Sequence, residues 1–321
     1  MLKHWHTALA LLALSVSTCV SAADNTNHSS DLPTYHSNVS QVGVTFFATD
    51  ENNQPLKSLA KSDFAVVDNE HVVRNFRTFT RSDETSLDVV ALVDLSESVA
   101  PRFRSAMGDV LHLVAHERSI PDDSIAVLSF GGTFGAPGGT FDSIHPAILC
   151  STGCRTADFA GRLPAVQSGG TTPLFDALIF GADFISHRRR IGVRPVIILF
   201  SDGNDTISLH SARQALQAVL DQGALLYSFD TGTAEKTTGS MFLRQASDAT
   251  GGRYFSLRFS PANGAAAVLN AVLEDLRASY VVTYDLPSHQ AGFHSLRLLP
   301  THNLNLTFHS RNGYDYEPSG R

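Results

Sequence analysis

The sequence predicts an α/β protein: a doubly wound, mostly parallel sheet, with a small β domain formed by the N- and C-terminal segments. Two observations carry this. Between residues 87 and 277, near-continuous apolar segments alternate with amphipathic segments of helical length. That is the pattern of strands buried on both faces and separated by covering helices. On either side of this stretch, apolar residues come instead in short β-like runs bounded by turn formers.

Taken in order, Met1-Leu2-Lys3-His4, an apolar run over 8–16 and the small residues Val20-Ser21-Ala22-Ala23 compose a secretory signal peptide over 1–22. The run is too short to span a bilayer, and no later stretch reaches the ~20 apolar residues a spanning helix needs. The expectation is an exported chain that is periplasmic, held in the cell envelope or secreted. Lipid anchoring through Cys19 is the rival reading, but Thr18 precedes it where such anchors carry Gly, Ala or Ser. Residues 23–38 are polar, rich in Asn, Ser and His, and without hydrophobic period, so they are expected to form a flexible tether.

An N-terminal β module is expected over 39–85, with strands over 42–48, 64–67 and 74–77 and turns at 50–54 and at Asp68-Asn69-Glu70. The α/β domain follows over 86–279. Its strands are expected at 87–93, 125–130, 196–200, 224–229 and 253–257, and its helices at 102–117, 173–187, 210–220, 241–249 and 261–277. The last segment, 280–321, returns to β character at 280–284, 293–298 and 304–308. These strands come too late for the helical alternation. They are expected to pair with the N-terminal module, which makes the α/β domain an insertion.

A formal charge of -7 over 321 residues, with no long single-sign run, leaves no footprint for gripping nucleic-acid phosphates. The chemistry-bearing residues sit at strand ends. Asp94-Leu95-Ser96-Glu97-Ser98 leaves the first α/β strand, Gly169-Gly170-Thr171-Thr172 precedes a helix, and Ser201-Asp202-Gly203 follows the strand over 196–200. Ligand sites in open α/β sheets form at such carboxyl ends. Oxygen donors without His or Cys suit a hard cation, Mg²⁺ above all, with Mn²⁺ or Ca²⁺ as alternatives. An open coordination position would accept an acidic residue of a protein partner. Separately, each piece has a plainer role: the first as a helix cap, the third as a turn.

Asp-x-Ser-x-Ser, a distant Thr and a distant Asp, in this order, resemble the metal-ion-dependent adhesion site of von Willebrand factor type A domains. The resemblance covers about 87–280. It implies a Rossmann-like fold and a cation held by Asp94, Ser96, Ser98, Thr171 and Asp202, with Asp202 acting through water. The chain also resembles a bacterial group of exported proteins bearing this domain, from Val42 through Asp63-Phe64-Ala65-Val66 to Tyr280 and Gly313-Tyr314. Glu97 departs from the pattern, since many relatives carry Gly there, and Thr172 beside Thr171 is the alternative ligand.

Cys150 and Cys154, four apart in a polar segment, are expected to form a local disulfide in an exported protein. His112 and His116 share a helix face but lack the Glu of a zinc-protease motif. Arg188, Arg189 and Arg190 complement a helix C-terminus. The Gly-rich stretch over 131–139 either shapes the rim or forms a long hairpin. With no nucleophile elbow, phosphate loop or dinucleotide glycines, an enzyme is not expected. The leading function is cation-dependent protein binding or adhesion. The others are a metal-free scaffold of the envelope and a cation-using hydrolase.

Overall fold

The computed structural model describes residues 41–318 except 84, 97, 99–107, 109, 111–123, 132–145, 153, 155–170, 191, 235 and 258–263. The expected leader and tether, Cys19, Glu97, His112, His116 and nearly all of the Gly-rich stretch lie outside the described residues. So does the helix expected over 102–117, apart from Gly108 and Val110, which are helical.

The strands are β1 (Gln41–Thr49), β2 (Phe64–Asp68), β3 (His71–Val73), β4 (Thr78–Arg81), β5 (Leu87–Asp94), β6 (Ser124–Phe130) and β7 (Ala147–Cys150). They continue as β8 (Arg194–Ser201), β9 (Leu225–Asp230), β10 (Tyr254–Ser256), β11 (Tyr280–Asp285), β12 (Gly292–Pro300), β13 (Thr307–Ser310) and β14 (Gly313–Tyr316). Four described helices are α1 (Leu174–Arg188), α2 (Ala212–Asp221), α3 (Thr238–Thr250) and α4 (Gly264–Arg277). Among the described residues no helix is long and apolar enough to cross a membrane.

The central sheet has the order β10-β9-β8-β5-β6-β7 and is parallel except for β7, which runs against β6. Strand β5 lies inside it and is buried along its whole length. Because side chains alternate across a strand, its residues divide between two cores. Leu87, Val89, Ala91 and Val93 belong to the same core as Leu269, Val272 and Leu276 of α4, and Val90 and Leu92 to that of Leu174, Leu178 and Ile185 of α1. The sheet is therefore doubly wound, and its continuous apolar strands follow from having no solvent face.

The two ends of the chain build two four-stranded sheets, β13-β1-β11-β4 and β14-β12-β2-β3. β1 pairs with β11 and β13, and β2 with β12, all antiparallel. The sheets share one core, in which Phe46 stands 4.9 Å from Phe64 and 5.8 Å from Tyr280 between ring centroids. Within it, the fully buried Asp68 accepts hydrogen bonds from the hydroxyls of Tyr284 and Tyr314, each at 2.8 Å, with His294 Nδ1 3.3 Å away.

The strand expected over 74–77 is not formed. Asn69 (φ 45°) and Glu70 (φ 71°) make a two-residue turn that pairs Asp68 with His71. Two left-handed residues match the twist of a hairpin, so β3 starts at once and ends at Val73, and the next strand waits until Thr78. Strands β7 and β14 were not expected. The cysteines of β7 and its following loop, Cys150 and Cys154, form the anticipated disulfide.

Buried Arg194 ties the two crossings between the domains together. Its Nη1 donates to Leu276 O (3.0 Å) and Ser279 Oγ (2.8 Å), and its Nη2 to Ser82. Arg277 donates to the carbonyls of Asp83 and Thr85, both at 3.1 Å.

His309 of β13 stacks on Phe47 at 4.5 Å, and burial pushes its pKa down to about 4, with Arg253 adding repulsion. The folded chain thus holds this ring neutral over a range in which the unfolded chain takes up a proton. Its contribution is complete above about pH 6.5 and is lost as pH falls toward 4. Urea unfolding at pH 7 and 4.5 should show a smaller stability loss for His309→Gln than for the wild type, by about 2 kcal/mol. Equal losses would refute the assignment.

Candidate functional site

Three loops converge at the carboxyl edge of the central sheet. Asp94, the last residue of β5, is fully buried. Its Oδ1 accepts from the Ser96 backbone N–H at 2.9 Å, an Asx turn that bends the chain off the strand. Its Oδ2 accepts from Ser201 Oγ at 2.7 Å, which joins the ends of β5 and β8. Ser96 is buried and Ser98 exposed, with their hydroxyls 3.2 Å apart.

Thr171 is brought to the same place. A Cβ built on Gly131, just past β6, would sit 3.1 Å from the Thr171 carbonyl oxygen, 3.2 Å from Asp94 Oδ1 and 3.4 Å from the Ser96 nitrogen. The Asp94 carboxylate and the Thr171 backbone therefore flank a single point, where a side chain at 131 would be crowded and, at φ +74°, strained. Thr171 is half-buried, whereas Thr172 is buried.

Asp202 is also buried. Its two oxygens accept from Asn204, one from the backbone N–H and one from Nδ2, each at 3.0 Å. Its charge acts on Asp94, whose pKa is raised to about 6, chiefly by burial and further by Asp202, against the lowering effect of hydrogen bonds from Ser201 and Ser96. Among the described residues neither carboxylate has an ion-pair partner.

Asp230, which the sequence reading passed over, ends β9 opposite Ser201 and is buried as well. It accepts from the Gly232 N–H at 2.7 Å and the Tyr254 hydroxyl at 2.6 Å. A Cβ on Gly232 would lie 2.9 Å from Asp230 Oδ1 and 3.3 Å from Asp202 Cβ, so Asp202 and Asp230 are close neighbours. The signal was present: Asp94, Asp202 and Asp230 each stand at or one past the end of a buried strand.

The loop carrying Asp202 is also the N-terminal cap of the helix that follows Thr171. Thr206 exchanges two bonds with Thr172: its hydroxyl accepts from the Thr172 N–H at 2.7 Å, and its N–H donates to the Thr172 carbonyl at 2.9 Å. Ser208 Oγ accepts from the first-turn N–H groups of Phe175 and Asp176 at 3.0 and 3.1 Å, and Asp205 accepts from Ser208. Pro173 at the N-cap has no capping side chain of its own, so these donors are satisfied from the loop. In return Asp176 accepts from the N–H groups of Leu209 (2.9 Å) and His210 (3.1 Å).

Thr206→Val should leave the Thr172 N–H without its acceptor and cost about 1–3 kcal/mol in urea unfolding. Thr206→Ser, which keeps the hydroxyl, should recover most of it. Equal stability of the two variants would show that the bond does not hold the loop.

The donors at this edge are carboxylate, hydroxyl and carbonyl oxygens. No cluster of three or more His, Cys, Asp or Glu side chains arranged to hold a metal is found among the described residues. A cation here would draw on hydroxyls and water as well as carboxylates, the chemistry of a hard ion.

A model of the von Willebrand factor type A domain matches residues 88–260, and no curated protein sequence matches the chain. Among solved structures, the chain is similar to an aerotolerance-related membrane protein from Bacteroides fragilis NCTC 9343, at 13% identity and a TM-score of 0.42, covering 60% of this chain and 98% of that one. It is similar to the SpRpn10 VWA domain at 14% identity and a TM-score of 0.39, covering 60% and 93%. Proximal thread matrix protein 1 from the mussel byssus gives 12% identity and a TM-score of 0.44, covering 60% and 48%. With the family model spanning over half of its 321 residues and a doubly wound sheet with one antiparallel edge strand, the chain belongs to the von Willebrand factor type A domain family.

Proposed function

We propose that this protein is an exported, cation-dependent protein-binding module. Mg²⁺ would be held by Asp94, Ser96, Ser98, Thr171 and Asp202, and an acidic residue of the partner would complete its coordination. The observation that carries this reading is carboxylate without counter-charge: Asp94 and Asp202 are both buried, the charge of Asp202 acts on Asp94, and among the described residues no cationic side chain pairs with either. Burying like charges is costly. A divalent ion would remove that cost, and the hydroxyls of Ser96 and Ser98 are the further donors such an ion takes. When bound, the ion supplies a positive centre with exchangeable positions. The residues' own part is to hold donors in place and to keep Asp94 from solvent.

Export is supported by the leader-like N-terminus and by the Cys150–Cys154 disulfide, since such bonds persist in oxidising compartments. Domains of this family commonly bind proteins.

One observation favours a second reading, a metal-free scaffold. Both Asp94 oxygens already accept hydrogen bonds, from Ser96 and Ser201. Calorimetric titration with Mg²⁺ and Mn²⁺ separates the two. Uptake of one ion that Asp202→Ala abolishes supports the module, as does a partner captured from envelope extract and released by chelator. No uptake of either ion leaves the scaffold.

A further inference from the structure

Beside the proposed cation site, the loop that carries Asp202 turns large apolar side chains outward. Ile207 is 37% exposed and Leu209 77%. Turns are made readily by polar residues, so the loop's shape does not require them. A single exposed apolar residue is ordinary, but several gathered in one place mark a contact surface.

Here they gather round one pair of rings. Ser208 Oγ accepts from the Phe175 N–H at 3.0 Å, so Ile207 and Leu209 stand on either side of a residue fixed to the first turn of α1. Phe175 is half-buried and meets Phe242 of α3 edge to face, with 5.0 Å between ring centroids. Next to Phe242 is Met241, 54% exposed. The loop also meets α3 where Gly203 faces Gly239, two residues before Met241.

Two features fit this group to a ligand. The first is that the loop is held in place. Thr206 is bonded to Thr172 in both directions, and the Leu209 N–H donates to Asp176 at 2.9 Å. Apolar side chains on a pinned loop need little further ordering when a partner arrives. The second is position. Ile207 is one residue beyond Thr206, which bonds Thr172, the neighbour of the proposed ligand Thr171. An extended segment advances ~3.3 Å per residue, so one whose carboxylate sits on the ion has its next few residues within reach of this group. A cation alone accepts any accessible carboxylate, and selection among them has to come from what lies alongside.

We propose that the partner is an extended peptide segment with a large apolar residue one to three positions from its acidic residue, and that Ile207, Leu209 and Met241 receive that apolar side chain. This rests on the cation reading of the rim and adds which acidic segments the rim accepts.

The test is calorimetric titration of the full chain, in saturating Mg²⁺, with an acetylated glycine peptide bearing a single aspartate. The comparison peptides carry leucine at each of the three positions on either side of that aspartate. At least one of them should bind about tenfold more tightly than the parent, and chelator should abolish the binding. Leu209→Ser combined with Met241→Gln should remove the tenfold gain while leaving Mg²⁺ uptake and the parent peptide's affinity unchanged. Mg²⁺ uptake without any gain from leucine, or a gain that survives the double variant, overturns this proposal and leaves the cation reading standing. Absence of Mg²⁺ uptake overturns both. Binding to phosphatidylcholine–phosphatidylglycerol vesicles, or self-association in sedimentation, that the double variant abolishes would assign the group to a lipid surface or a second copy and overturn the proposal as well.

Discussion

Asp94→Asn is expected to lower Mg²⁺ affinity by about a hundredfold or more while keeping the folded chain without metal within about 1 kcal/mol of the wild type, because loss of the buried charge offsets the hydrogen bond lost from Ser201. The two halves of this expectation come from one geometry. Asparagine keeps an acceptor for the Ser96 N–H, and its amide can donate to the second lone pair of Ser201 Oγ, which already accepts from the Gly203 N–H at 3.0 Å, so the one bond lost is that donated by the Ser201 hydroxyl. What disappears is the charge, which is unfavourable here because Asp94 is fully buried beside Asp202. Calorimetry would give the affinity and urea unfolding in chelator the stability. A variant that binds Mg²⁺ as the wild type does would exclude Asp94 as a ligand. One that loses several kcal/mol without metal would show that the carboxylate is structural.

Gly203→Ala is expected to be the most damaging small substitution at the rim, costing about 3 kcal/mol or more. Gly203 has φ +79°, and a Cβ there would stand 2.3 Å from the carbonyl oxygen of Gly239, which belongs to the first turn of α3 and cannot move alone. Relief requires displacing either that helix or the loop bearing Asp202, so cation uptake should weaken along with stability. Gly192 is the internal control. Its φ of +78° is nearly the same, but nothing lies within 4 Å of its would-be Cβ. Gly192→Ala should therefore cost only the backbone term, about 1 kcal/mol. If the two variants unfold at the same urea concentration, the contact between Gly203 and Gly239 carries no energy.

Much of this architecture was legible along the chain because its signals are local. An apolar run such as Val196 to Phe200 can be buried on both faces only inside a sheet, and it lies within β8. Helix α3 starts at the Thr237 cap, whose hydroxyl accepts from the Ser240 N–H at 3.0 Å, earlier than its apolar period alone suggests. The 74–77 strand failed because turn geometry at Asn69-Glu70 set where pairing began. Edge strand β7 is four residues long with an exposed Ile148, too short and too mixed to announce itself.

The amino-acid sequence by itself determined the fold class, the alternation of buried strands and helices in the central domain and the three loops that carry oxygen donors at strand ends. Periodicity, turn preference and strand-end position act over a few residues and can be read without coordinates. Only the tertiary structure decided that Asp94 is buried against Ser201, that Asp230 stands beside Asp202, and that Thr206 holds the Thr171 loop. Each of these depends on residues distant in the chain, from the 28 positions between Asp202 and Asp230 to the 107 between Asp94 and Ser201. Burial and charge pairing are set by what the folded chain places alongside, and no local pattern encodes them.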